Sequence, residues 1–190
     1  MFRNSRTARR LLATAAVLVL GGAGVGYSAF SSTAASDGNH FATGTVALSS
    51  NGSGGGALSI SNGRPGDTTT ACISVAYTGS RDANVHFYAL KSTSGNDAAP
   101  YLSTTVEVGS FSGATPANNS CAGFTPSSSL FSGKLAGLPS TYQAGLVDPN
   151  ASWHNGDTAV YKVTVTVDDT DSAQNTSADA DLRWEARSNS

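Results

Sequence analysis

Apolar and polar residues alternate along much of this chain with a period of two, the spacing of a strand that buries one face. Tyr161, Val163, Val165 and Val167 fall on one face, with Lys162, Thr164 and Thr166 on the other. Ile73, Val75 and Tyr77 oppose Ser74, Ala76 and Thr78, and Val85, Phe87 and Ala89 oppose Asn84, His86 and Tyr88. Further strands are expected across residues 41–49, 57–61, 102–108 and 182–186. No stretch carries the period of a long amphipathic helix. Short strands punctuated by Gly, Asn, Asp and Pro predict an all-β chain folded as an antiparallel β-sandwich, jelly-roll-like. Arg64-Pro65-Gly66-Asp67 has Pro before Gly, the order of a type II turn, and residues 78–82 predict a shorter one. Across residues 111–141 the alternation dissolves into Ser, Gly and Pro, with room for a short helix near residues 132–138.

The first 29 residues follow a different rule. Arg3, Arg6, Arg9 and Arg10 precede an apolar run from Leu11 to Leu20, which decays through Gly21, Gly22, Gly24 and Gly26 into Tyr27-Ser28-Ala29. A basic start, an apolar middle and a small-residue end read as a secretory signal peptide, with cleavage expected after Ala29. An uncleaved anchor is the competing reading, but the four glycines weaken both helix and hydrophobicity. The expected organisation is therefore a signal peptide over residues 1–29 and one sandwich domain over residues 30–190, with no stable membrane anchor after cleavage.

Composition sharpens this picture. Ser, Thr and Gly supply 28, 20 and 21 of the 190 residues, and only 13 % are charged, about half the usual share. The formal charge is −2; loss of the four leader arginines leaves seven bases against thirteen acids, or −6. Such a chain lacks the basic surplus that nucleic-acid binding requires. Cys72 and Cys121 both lie in the exported part, where an even count in an oxidising compartment favours a disulfide.

Candidate chemistry is sparse. His40, His86 and His154 are far apart in sequence and form no HExxH or HxxEH pair, and there is no GxSxG elbow, Walker loop or dinucleotide glycine loop. Asp168, Asp169, Asp171, Asp179 and Asp181 are the best candidate oxygen donors for Ca²⁺, but they lack the glycine and terminal glutamate of an EF-hand, and a solvated hairpin between the last two strands explains them without any metal. Trp153 with Tyr142 and Tyr161 could form a sugar platform, while Trp153 and Trp184 also suit core positions. No catalytic, cofactor-binding or metal-ligating residue is assigned, and no cofactor is expected.

An ordered set of motifs resembles a known family. Tyr27-Ser28-Ala29-Phe30 leads to Asn39-His40-Phe41-Ala42-Thr43-Gly44-Thr45-Val46-Ala47-Leu48, then Pro65-Gly66-Asp67, then Val75-Ala76-Tyr77-Thr78-Gly79-Ser80 and Asp82-Ala83-Asn84-Val85. Trp153, Gly156-Asp157, residues 161–167 and Trp184-Glu185-Ala186 resemble the ending of actinobacterial versions. This order is similar to the TasA/camelysin group of secreted Gram-positive proteins. The resemblance implies a jelly-roll-like sandwich exported by a dedicated, SipW-type signal peptide. It also implies a fibre subunit of the biofilm matrix or cell envelope that donates its N-terminal strand to the next subunit. Here the donor would run from Phe30 to Phe41, its two bulky anchors. Further copies of the chain are the expected partners, with wall or matrix polysaccharide as another, and the expected place is the extracellular matrix or cell wall. Camelysin-like members are classed as metallopeptidases, and a carbohydrate-binding surface module is the third reading. No metal-ligand motif carries over to this chain.

Overall fold

The computed structural model describes residues 31–35, 48–50, 58, 63–92, 97–174 and 176–188. The signal peptide, Phe30, His40 and Phe41 lie outside the described residues. Nine strands are present among them: β1 (Ser31–Ala35), β2 (Leu48–Ser50), β3 (Thr68–Tyr77), β4 (Ala83–Ser92), β5 (Leu102–Phe111), β6 (Phe124–Lys134), β7 (Leu146–Val147), β8 (Thr158–Val167) and β9 (Asp179–Ser188). They form two sheets, ordered β1-β9-β4-β7 and β2-β3-β8-β5-β6. Every strand pairing is antiparallel. Apart from the short β2, which extends one edge, the two orders interleave as two Greek keys, the jelly-roll arrangement.

The period-two faces meet between the sheets. Ile73, Val75 and Tyr77 of β3, Val106 and Val108 of β5, and Tyr161, Val163 and Val165 of β8 are buried against Val85, Phe87 and Ala89 of β4 and Leu182, Trp184 and Ala186 of β9. Phe87, Tyr161 and Trp184 form a triangle across the two layers, with ring centroids 5.1 to 6.1 Å apart. Aromatic pairs at this spacing add about 0.5–1.5 kcal/mol each beyond the area they bury. Arg64–Asp67 closes as expected: Asp67 N–H donates to the Arg64 carbonyl at 2.9 Å, and Gly66 takes φ +86°, which a type II turn demands at that position.

Two expectations need correction. The 111–141 stretch contains the eleven-residue strand β6, and the expected helix is only a 3₁₀ turn at Leu135–Gly137. β6 escaped the alternation rule because its register against β5 shifts twice, between Val106 and Glu107 and between Val108 and Gly109. Each shift inserts a residue that flips the faces beyond it. Second, β8 and β9 belong to different sheets, so the acidic connection between them is a crossover and not a hairpin.

Candidate functional site

A sandwich presents its backbone chemistry at its sheet edges, where unpaired N–H and C=O groups can accept another strand. In the five-stranded sheet, one edge is β6. Pro126 within it has no N–H to offer, and the two register shifts bend it away from a flat template. Gly109 permits this close approach: a Cβ there would meet the Thr125 carbonyl oxygen at 2.0 Å. At the opposite edge, β2 covers only Val75–Tyr77 of β3.

In the four-stranded sheet, β7 pairs with only His86 and Phe87 of β4. Beyond it the segment around Pro139 closes the edge: Ala89 N–H donates to the Pro139 carbonyl at 2.9 Å, and Lys91 Nζ donates to the Ala136 carbonyl at 2.8 Å. The other edge is β1. Ser31–Ala35 pairs in unbroken antiparallel register with β9, from Ser31 opposite Arg187 to Ala35 opposite Arg183. β1 carries no charge and no proline, so it lacks the side-chain devices that blunt an edge. The part of the expected donor that is described therefore lies on the chain's own β9.

The disulfide is present. Cys72 lies on β3, faces away from the core and is fully buried; Cys121 lies in the β5–β6 connection, with the two Cα atoms 5.1 Å apart. Because β8 separates β3 from β5, residues 112–123 form a strap over the outer face of the five-stranded sheet. Asn118 and Asn119 both take φ 55°, a conformation asparagine tolerates better than most residues. The curl brings the Asn119 carbonyl to the Cys72 N–H at 2.9 Å. Beneath the strap, Lys162 pairs with Glu107 at 3.0 Å and lies 5.8 Å from the centre of the Phe124 ring.

The other candidate residues fall in separate settings. His86 lies on the outer face of β4, its ring stacked on Tyr142 at 4.1 Å, and Arg187 covers the same Tyr142 ring at 3.9 Å. His154 stands exposed between Asp82 and Asp157, with N–O distances of 3.4 and 3.6 Å. The His154 backbone N–H leads the hydrogen bonds that hold Asp157 below the usual carboxylate range. Asp168 binds Lys134 and the Ser103 hydroxyl, which lower its pKa in that order. Asp181 pairs with Arg183 at 3.2 Å. Among the described residues no three His, Cys, Asp or Glu side chains gather to hold a metal ion. Trp153, Tyr161 and Trp184 are core residues, each at most 1 % exposed, so they form no sugar platform.

The polar centre that sequence reasoning missed is Asp148, only 4 % exposed. Its Oδ1 accepts from Trp153 Nε1 at 3.1 Å and from Asn150 N–H at 2.8 Å, and its Oδ2 accepts from the Tyr161 hydroxyl at 2.6 Å. Burial raises the carboxyl pKa despite these three bonds, and Tyr161 is raised well above its usual value by burial and by Asp148. Asp148-Pro149-Asn150 was legible as an Asx turn, but nothing local foretold that Trp153 and Tyr161 would converge on it.

A cavity of about 160 Å³ opens between the sheets at one end, walled by Leu102, Thr104, Leu135, Val165 and Leu182 among others. No charged side chain among the described residues lines it. No described helix is long and apolar enough to cross a membrane. No protein-family model matches the chain, and no curated protein matches it.

Proposed function

We propose that this chain is an exported structural subunit of TasA/camelysin-like kind, which self-associates at the cell surface or in the extracellular matrix through its N-terminal strand. The observation that supports this reading is the contrast between edges. β6 is bent and carries proline, β4 is closed by the Pro139 segment, and β1 alone of these is short, uncharged and regular in its pairing. A segment that completes its own sheet in cis can complete a neighbour's in trans, because the hydrogen bonds exchanged are the same. The balance then depends on concentration against the effective concentration of the tethered strand, typically in the millimolar range. Dense deposition at a surface is the setting in which exchange succeeds.

The test compares a chain beginning at residue 30 with one beginning at residue 36, both with the disulfide intact. The longer chain should form fibres or oligomers on concentration, visible by electron microscopy. The shorter one should stay monomeric and bind a synthetic peptide of residues 30–41. A longer chain that remains monomeric at millimolar concentration, with a shorter chain that ignores the peptide, would remove the reading.

A further inference from the structure

We propose that Tyr161 is a redox-active tyrosine, which takes an electron hole from Trp184 while its phenolic proton passes to Asp148. The activity is a reversible one-electron oxidation of the sandwich core, and it does not depend on the edges through which the chain self-associates.

The geometry brings electron donor, acceptor and base together. Tyr161 and Trp184 face each other across the two sheets, with ring centroids 5.2 Å apart and planes at 58°. Both side chains are fully buried, so the pair is shut off from solvent. The Tyr161 hydroxyl donates to Asp148 Oδ2 at 2.6 Å, the short distance of a bond to an ionised acceptor. Trp184 is placed differently: its buried Nε1 meets no acceptor among the described residues. An indole that loses an electron becomes an acidic cation radical, and this one has no group beside it to take the proton. The hole is therefore stabilised by moving to the neighbour whose proton has somewhere to go.

Core packing by itself does not call for a carboxylate at position 148. Burial penalises the charge, and it raises the Asp148 pKa in spite of three hydrogen bonds. A carboxamide oxygen would accept from Trp153 and Asn150 as well as Oδ1 does. What it would not supply is a base, and a raised pKa makes this carboxylate a better one. Tyr161 cannot ionise first, because burial and Asp148 hold its pKa well above the usual value. Electron and proton therefore leave the phenol together.

A one-electron oxidant takes one electron from Trp184 and is itself reduced. Tyr161 then gives an electron to the Trp184 cation radical; its O–H bond breaks and the proton joins Asp148 Oδ2. Neutral indole, a phenoxyl radical and a carboxylic acid remain. Superoxide, a one-electron reductant, reverses this state: its electron goes to the phenoxyl oxygen, dioxygen leaves, and Asp148 returns the proton.

The experiment is laser-flash spectroscopy on the chain from residue 30, disulfide intact, at mildly alkaline pH. The flash ejects an electron from tryptophan, dissolved oxygen takes it up as superoxide, and transient absorption follows tryptophanyl and tyrosyl radicals separately. In the wild type the tryptophanyl signal should convert to a tyrosyl signal, and more slowly in heavy water, because a proton moves in the same step. Tyr161→Phe and Trp184→Phe should each abolish the conversion. Asp148→Asn should slow it by at least about tenfold, the rate equivalent of one charge-assisted hydrogen bond. Tyr142→Phe should leave it unchanged. Absence of the conversion in the wild type would overturn the proposal, as would an unchanged rate in Tyr161→Phe, Trp184→Phe or Asp148→Asn. An equal rate in heavy water would overturn it too, and that comparison needs no substitution, so it decides the matter even where a variant fails to fold.

Discussion

Replacing Asp148 by alanine should destabilise the sandwich sharply, while replacing it by asparagine should not. In the alanine variant the Trp153 indole N–H and the Tyr161 hydroxyl, both within residues at most 1 % exposed, lose their acceptor. Each buried donor left without a partner costs about 1–3 kcal/mol. Asn150 is exposed, so water replaces its bond at little cost. The expected loss is therefore about 2–6 kcal/mol for the two buried donors together, a large part of the 5–15 kcal/mol typical of a whole domain. Asparagine keeps Oδ1 for Trp153 and Asn150 and turns its amide nitrogen toward Tyr161, whose hydroxyl rotates to accept. It also removes a charge that burial penalises, so its stability at pH 7 should fall within about 1 kcal/mol of wild type or rise above it.

Urea unfolding followed by tryptophan fluorescence measures both variants. The pH dependence adds a sign. Because burial raises the folded-state pKa of Asp148, the folded state binds its proton more tightly than the unfolded chain does. Its contribution to stability therefore improves as pH falls through the raised pKa towards the ordinary carboxylate value, and is flat below that. Any advantage of Asp148→Asn over wild type should shrink across this window. An alanine variant within about 0.5 kcal/mol of wild type, or an asparagine variant as weak as alanine, would refute the reasoning.

Other expectations follow from the same structure. Gly109→Ala drives a methyl into the Thr125 carbonyl and to 2.9 Å from Pro126 Cα. It should cost about 1–3 kcal/mol as overpacking and accelerate amide exchange along β6 before elsewhere. Trp184→Ala removes one corner of the aromatic triangle and should cost about 3–5 kcal/mol by denaturant unfolding; a loss below about 1 kcal/mol would contradict the assigned core. Asp168, held low chiefly by Lys134 and Ser103, gives stability present above the ordinary carboxylate pKa and lost as pH falls through its depressed value. Lys134→Ala should erase part of that acid sensitivity, and by less in high salt, read from unfolding midpoints at several pH values.

How much of this was legible follows from how local each signal is. The faces of β3, β4 and β8 were visible because alternation needs only neighbours in the chain, and so was the Pro65-Gly66 turn, whose demand for a positive φ is met within four residues. β6 was hidden because Ser127 and Leu130 are inserted opposite β5, and two insertions erase a period-two signal while the strand persists. The disulfide partners could be paired by count alone. That Cys72 points away from the core and is covered by a strap required knowing that β8 lies between β3 and β5. The candidate edges were equally non-local: a proline in β6 or a regular β1 means something only once its neighbours are known.

By itself, then, the sequence determined an all-β chain with two sided strands, its turns, its two cysteines and its low charge. Each of these is a property of a few adjacent residues. The tertiary structure alone decided the jelly-roll order, the burial of Asp148 under Trp153 and Tyr161, and which edges are bent, closed, strapped or left regular. Those are decided by contacts between segments tens of residues apart, where hydrophobic burial selects the pairing of faces and the hydrogen bonds left over select the partners at the edges.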